Sequence, residues 1–438
     1  MMGNNTLSTL SKAFSLHKNL RGPAFATVLF LLMAVIGWYI SDTYTPQRND
    51  FPAYYEAGRV VLEGRLGDLY SKLSVVFTNL PALSLLFTPL ALFEYDTAWH
   101  ILWWSSIASF VATLLLLAVS ARTRKPSNGA SAFLPALIFL AYAPLMHRCL
   151  VLGQTTPLAA TLLAICVFLL LRGRNIGAGL ALGALCALKI PPLLLLGVFA
   201  ARRRWATVAT AVAVLLLTIA ASWLWFGTEG MSQYAARVFG ANARGGLAAF
   251  NNQSIDGLWM RAFSSAGLTD WTPVPRPPAA TFALSLSLLL IAIGVLLAGW
   301  KFFFSAPAIG RSNGDTGTVE LEVGLAAALM VLVLPVTWTH YYLLLSVPFA
   351  LLPIWWRRNN LPGARLATGV LITGVLLTAW PHVQGNDYYA ARETLGSLRL
   401  ILAGRTVGAF VLLVVCLVGM KLWNKTGTAE PSDRPSAD

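Results

Sequence analysis

Residues 205–226 read WATVATAVAVLLLTIAASWLWF, an uncharged run that directly follows the cluster Arg202-Arg203-Arg204. About 20 consecutive apolar residues span a bilayer as a helix, and such a helix satisfies its own backbone in lipid. Cations at one end mark the side retained in the cytoplasm. The same reading repeats at 24–40, 97–120, 131–146, 155–171, 175–188, 191–201, 279–300, 322–338, 341–356, 366–381 and about 400–420, which predicts about 12 transmembrane helices. The expected fold class is all-α, a polytopic membrane protein. Composition agrees, since 57% of the 438 residues are hydrophobic and 11% are charged. A soluble domain carries about 25% charged residues. A soluble enzyme and extensive disorder are both excluded.

The net charge is +14. Nineteen of the 32 cations fall in loops assigned to the inside, and 12 of the 18 acids fall outside. The cations therefore report orientation and are no sign of a nucleic-acid partner. The expected organisation is a cytoplasmic N-terminal segment 1–23, an integral membrane domain 24–422 with outer loops 42–96 and 227–278, and a disordered cytoplasmic tail 423–438. Residues 80–93 (LPALSLLFTPLALF) are too short to span, and prolines interrupt them, so they read as a juxtamembrane or re-entrant segment. Two short runs, 175–188 and 191–201, meet at Lys189-Ile190-Pro191-Pro192. Fourteen helical residues rise only about 21 Å, which puts Lys189 at the floor of an outward-facing cavity. Cys149, Cys166, Cys186 and Cys416 show neither a disulfide framework nor zinc-site spacing.

Ionisable residues near helix ends are the candidates for chemistry. Asp50, in Arg48-Asn49-Asp50-Phe51-Pro52-Ala53-Tyr54-Tyr55, has two readings. It is either the N-cap of a helix with Pro52 in the first turn, or a general base held above the membrane. Lys189 is either a snorkelling lysine or an ammonium for a lipid phosphate. His340, in Trp338-Thr339-His340-Tyr341-Tyr342, is either a satisfied polar residue or a phosphate ligand or proton carrier. Arg148, in an outer loop with Gly153-Gln154, is a second candidate phosphate cation. Asn252-Gln253-Ser254 matches a glycosylation acceptor, with substrate hydrogen bonding equally open. No Walker A motif, H-E-x-x-H or G-x-G-x-x-G occurs, nor a D-x-D near the outer loops, so ATP-driven transport and zinc proteolysis lack support.

The stretch DFPAYYEAGRVVLEGRLGDLY (50–70) resembles the first outer loop of glycosyltransferase family 87. Further features agree in order: the proline-containing segment 81–94, Gly153-Gln154, GAGLALGALCALKIPPLLLL (177–196), Asn252-Gln253-Ser254 and PVTWTHYYLLLSVP (335–348). The resemblance covers roughly residues 40–360. The family often carries two adjacent histidines where this chain has His340-Tyr341-Tyr342.

The resemblance implies a GT-C-type membrane fold with an outer-face cavity and a polyprenyl-phosphate-mannose donor. It implies Asp50 as catalytic base, with Lys189, His340 and Arg148 on the donor phosphate. Tyr54, Gln154, Asn252, Gln253 and Trp338 are the expected substrate contacts. No cofactor and no metal are expected. The partners implied are the lipid-linked donor, a lipid or cell-envelope glycan acceptor and membrane lipid. The implied location is the plasma (inner) membrane, both termini cytoplasmic and the active site extracytoplasmic. Transfer by one displacement inverts the anomeric centre. A transporter or flippase of lipid-linked sugars is the alternative. Transporters often carry inverted repeats with matching broken helices, and the hairpin at 175–201 has no clear counterpart in the second half.

Overall fold

The computed structural model describes residues 48–122, 134–243, 245–304, 316–379, 389, 399 and 402–426. Asn49–Asp438 forms the compact unit considered below. The expected first span, 24–40, and segment 1–23 lie outside the described residues.

Helix α1 (Phe51–Leu62) places Pro52 in its first turn, where a missing N–H leaves no bond unmade. It turns its apolar face inward, and Phe51 and Ala57 are fully buried. Residues 80–93 form only short turns, Pro81–Leu83, Ser84–Phe87 and Leu90–Leu92, in keeping with a segment that does not span. The helices that follow are α2 (Tyr95–Arg122), α3 (Leu134–Leu140), α4 (Ala143–Leu152) and α5 (Thr156–Leu170). Next come α6 (Asn175–Leu188), α7 (Leu193–Ala201), α8 (Trp205–Ala243), α9 (Ile255–Phe263) and α10 (Pro278–Phe304). The series ends with α11 (Val319–Val333), α12 (Ser346–Arg358), α13 (Ala364–Ala379) and α14 (Gly404–Thr426).

Among the described residues, five helices are long and apolar enough to cross a membrane, or six if the bent pair α3 and α4 makes one span. The shorter apolar helices α5, α6 and α13 fall below that length. The chain is an all-α, multi-pass membrane protein. Several boundaries differ from expectation. Arg148, expected in an outer loop, lies within α4, because helical structure continues past 146 to Leu152 before Gly153 ends it. The run 205–226 ends as expected at Gly227, whose φ of 63° breaks the helix, but helical structure resumes and continues to Ala243. Much of the expected outer loop 227–278 is therefore helix. The expected span 341–356 starts instead as a 3-10 turn, Thr339–Leu345. Helix α14 runs through Thr426, so residues 423–426 are ordered where a disordered tail was expected, and the rest of that tail lies outside the described residues.

Close packing comes from small residues. A Cβ on Gly179 would sit 2.6 Å from the Thr207 carbonyl oxygen, and one on Gly183 would sit 2.6 Å from Val214 Cβ. The two glycines, four residues apart, let α6 lie directly against α8, the small-residue packing that lipid-embedded helices favour. At the far end of α7 the charges close on each other. Glu322 is fully buried and takes Arg204 Nε at 2.5 Å, Arg202 Nε at 3.2 Å and the Thr318 hydroxyl at 2.7 Å. These contacts tie the arginine cluster after α7 to α11 and leave the buried carboxylate fully paired.

Two breaks position the site. Helix α6 ends at Lys189, whose backbone is extended, and Pro191 and Pro192 follow. The amide of Asn79 donates to the freed Leu188 carbonyl at 3.0 Å. Helix α4 ends at Gly153 in the left-handed region, φ 75°. A Cβ there would lie 2.6 Å from Phe51 Cβ and 2.8 Å from the Trp99 ring. Gly153→Ala therefore meets both backbone strain and a packed wall. The expected cost is on the order of 2–4 kcal/mol, read as a lowered melting temperature of the purified protein. An unchanged melt would contradict this account of the turn.

Candidate active site

Asp50 occupies the position before α1, but its carboxylate makes no capping bond to that helix. It turns to the α4–α5 turn instead. The Asp50 backbone N–H donates to the Leu152 carbonyl at 3.0 Å, and Gln154 Nε2 donates to Asp50 Oδ2 at 2.8 Å. Of the two readings open from the sequence, the geometry therefore disfavours a simple N-cap. Among the described residues, no hydrogen bond reaches Asp50 Oδ1.

Gln154 carries the second half of the arrangement. Its Oε1 accepts from Lys189 Nζ at 2.9 Å and from the Tyr54 hydroxyl at 3.3 Å. One side-chain amide thus stands between a carboxylate and an ammonium, both of which line the same cavity. Gln154 and Lys189 are buried, and Lys189 Nζ also lies 5.4 Å from the centre of the Tyr341 ring. His340 packs edge-on against Tyr341, with ring centres 4.7 Å apart.

The cavity measures about 380 Å³, within the rough 300–1,000 Å³ range of small-ligand pockets. Asp50, Tyr54, Arg148, Gln154, Lys189, Trp338 and His340 all line it. These are seven of the residues singled out from the sequence, and they come from distant parts of the chain. Burial raises the Asp50 carboxyl above the ordinary carboxylate range, while Gln154, Lys189 and Arg148 pull against that rise. Burial, helped by Lys189 and Arg148, holds the His340 imidazole well below its ordinary value. Both effects favour the neutral imidazole.

Asn252 and Gln253 do not line the cavity. Asn252 is fully buried, donating to the Leu247 and Pro335 carbonyls at 3.0 and 3.3 Å and accepting from the Thr337 N–H at 3.0 Å. Its amide is used in joining two loops, which leaves no room for a glycan or a substrate bond. Gln253 is also fully buried, with Nε2 on the Phe250 carbonyl at 2.7 Å. Ser254 caps α9 through the Gly257 N–H at 2.9 Å. The polar trio is thus a structural knot beside the site.

The residues that do face the cavity here are Phe250, Asn251, Trp271, Thr339 and Tyr341. Nothing in the sequence separated Asn251 from its neighbour Asn252. The difference arises from pairing across 83 residues of chain and more, since Thr339 N–H donates to the Asn251 carbonyl at 3.0 Å and Gln253 N–H to the Thr337 carbonyl at 2.7 Å. Among the described residues, no group of three or more His, Cys, Asp or Glu is arranged to hold a metal ion.

The chain is 27% identical over 454 aligned residues to the polyprenol-phosphate-mannose-dependent alpha-(1-2)-phosphatidylinositol mannoside mannosyltransferase of Mycolicibacterium smegmatis, covering 94% of each chain. Two solved structures of ArnT from Cupriavidus metallidurans also match over 92% of this chain and 78% of theirs. The form bound to undecaprenyl phosphate matches at 13% identity and a TM-score of 0.39, and the apo form at 12% and 0.42. The sequence model of glycosyltransferase family 87 matches residues 77–301, which include Arg148, Gln154 and Lys189 but neither Asp50 nor His340. That match spans more than half of the 438 residues, and the chain belongs to glycosyltransferase family 87.

Proposed function

We propose that this glycosyltransferase moves a mannosyl group from a polyprenyl-phosphate donor to a hydroxyl of a lipid-linked or cell-envelope glycan, with inversion. The proposed site is the extracytoplasmic face of the plasma membrane, with both termini cytoplasmic. The observation that carries the reading is the Asp50–Gln154–Lys189 arrangement, a carboxylate and an ammonium on one amide inside one cavity. The donor assignment draws support from the similarity to the polyprenol-phosphate-mannose-dependent mannosyltransferase of Mycolicibacterium smegmatis. The orientation draws support from the cationic loops after α5 and α7.

In the proposed reaction, Asp50 Oδ1 accepts the proton of the acceptor hydroxyl as that oxygen attacks the anomeric carbon. The new bond joins the acceptor oxygen to that carbon, and the bond to the phosphate oxygen breaks. The leaving group is the polyprenyl monophosphate, whose charge grows as it departs. Lys189 and Arg148 stabilise that charge, and His340 offers a neutral N–H to it. One displacement converts a β-linked donor into an α-glycoside. Apolar tails held by the membrane keep both substrates at high effective concentration.

Gln154 is assigned here as a positioning residue and not as a substrate contact. Both ends of its amide are occupied by protein groups. It holds Asp50 and Lys189 in reach of one substrate without letting them close into an ion pair.

Purified protein given radiolabelled polyprenyl-phosphate-mannose and a membrane lipid extract is expected to form a labelled glycolipid. Asp50→Asn is expected to lower kcat by at least about 10²-fold with the fold intact. Full activity in that variant would remove Asp50 as the base. The pH profile supplies a second test. A base must be deprotonated, so kcat/KM falls as pH drops through the Asp50 pKa, which lies above its usual value. Lys189 and Gln154 both lower that pKa, so Lys189→Ala and Gln154→Leu are each expected to move the acidic limb to higher pH. A limb that stays in place, or moves down, would break the proposed coupling. Lys189→Ala is also expected to raise the donor KM, measured at saturating acceptor.

A further inference from the structure

The donor reading leaves one wall of the cavity without a task. Phe250, Asn251, Trp271 and Trp338 line it, and none carries a charge. The backbone that presents this wall is held from both sides. Gly246 and Val274 exchange N–H to carbonyl bonds at 2.9 and 3.0 Å, and Phe250 N–H donates to Leu268 at 2.8 Å. On the other side, Thr339 N–H donates to the Asn251 carbonyl at 3.0 Å, next to His340.

Trp271 is the exposed member, with 42% of its surface accessible. A single exposed ring is common and marks no site by itself; Trp271 is distinguished by lining the cavity. This one is anchored in a fixed pose. Its indole N–H donates to Asn251 Oδ1 at 3.0 Å, and its ring meets Phe250 edge-on at 6.2 Å. Phe250 is in turn stacked on Tyr389, with ring centres 4.1 Å apart and planes 12° from parallel. An indole N–H only donates, so the bond settles which end of the Asn251 amide is the oxygen. Asn251 Nδ2 is then turned away from Trp271, and it makes no bond to the described residues.

A rigid aromatic surface beside an amide donor suits a pyranose ring, which has an apolar C–H face and a rim of hydroxyls. We propose that Trp271 and Asn251 form the acceptor-sugar subsite of the cavity. Trp271 takes the C–H face of the ring, and Asn251 Nδ2 donates to one of its hydroxyls. The inference rests on the glycosyltransferase reading of the same cavity and adds which wall holds which substrate. The donor sugar is bonded directly to its phosphate, so it lies against Lys189, Arg148 and His340. The uncharged wall is left for the neutral ring of the acceptor. Asn251 joins the two walls through Thr339, which keeps the acceptor hydroxyl in register with the leaving group.

The test uses the full-length protein in lipid nanodiscs with polyprenyl-phosphate-mannose as donor and octyl α-mannoside as the acceptor probe. Trp271→Ala is expected to raise the probe's KM at least about tenfold while the donor KM stays within about twofold. Trp271→Phe keeps a ring and is expected to recover most of that loss. Equilibrium dialysis of the probe against donor-free protein is expected to show the same order, independently of turnover. Unchanged probe binding in Trp271→Ala would overturn the subsite, and so would a rise confined to the donor KM. Should Trp271→Ala fail to fold, Asn251→Ala serves in its place, and probe affinity equal to wild type is again the refuting result. If wild-type protein transfers nothing from this donor to the probe or to lipid extract, the proposed function falls. The dialysis comparison still decides the subsite.

Discussion

A carboxylate and an ammonium placed in a partly dry cavity attract each other strongly, and a direct ion pair would disable both. In the proposed reaction Asp50, as base, must keep a free oxygen, and Lys189, as phosphate-binding cation, must keep free protons. Gln154 resolves that conflict, giving Asp50 an N–H at 2.8 Å and Lys189 a carbonyl oxygen at 2.9 Å. A neutral amide can satisfy opposite charges with opposite ends, which no ionised side chain can do. The surrounding backbone is arranged to deliver that one amide. Gly153 takes the left-handed turn, Phe51 and Trp99 close on it, and the Leu152 carbonyl anchors the Asp50 backbone. The ammonium arrives from α6, whose termination at Lys189 is secured by Asn79.

The same constraint explains why the site sits at interruptions in the helices. Backbone N–H and carbonyl groups released from a helix are costly in lipid and are tolerated only where protein or water meets them. Carbonyls at these breaks and in the adjoining loops meet protein donors. Leu188 finds Asn79, Leu152 finds Asp50, and the carbonyls of Leu247 and Pro335 find Asn252. Polar side chains at such breaks need no extra desolvation of an intact helix. A cavity built from helix ends therefore concentrates polar chemistry where its cost is lowest.

Residues that stand out against apolar runs were legible in the sequence. Asp50, Arg148, Lys189 and His340 interrupt or border such runs, and a charge near membrane depth carries information by its cost alone. All four line the cavity. The short pair of runs meeting at Lys189-Ile190-Pro191-Pro192 likewise foretold the break that presents Lys189. The loop 227–278 was less legible, because polarity in a loop carries no comparable cost. Asn251 and Asn252 look alike in sequence, yet one faces the cavity and the other knots two loops together. Their roles depend on pairing with residues 335–339, a long-range fact that local pattern does not encode. The helix beyond Gly227 was hidden for a related reason. Its Arg237 reaches the Tyr70 carbonyl at 3.1 Å and its Tyr234 packs on Tyr70, so tertiary contacts support a helix that is too polar to read as a span.

On the proposed reading, specificity and catalysis are drawn from different parts of the chain. The charged wall comes from the first half, within and just before the region that defines the family, where α1, the α4–α5 turn and the end of α6 converge. His340 reaches it from the second half through the 3-10 turn Thr339–Leu345. Three members of the uncharged wall, Phe250, Asn251 and Trp271, come from the segment between α8 and α10, which is held by backbone bonds and a few side-chain anchors. A loop of that kind can exchange its side chains without disturbing the Gln154 bridge, since none of the bridge's partners lies on it. Change of acceptor is then separable from the chemistry of transfer. The bridge, by contrast, tolerates little change, because each of its members is fixed by a helix terminus that serves the fold as well as the reaction.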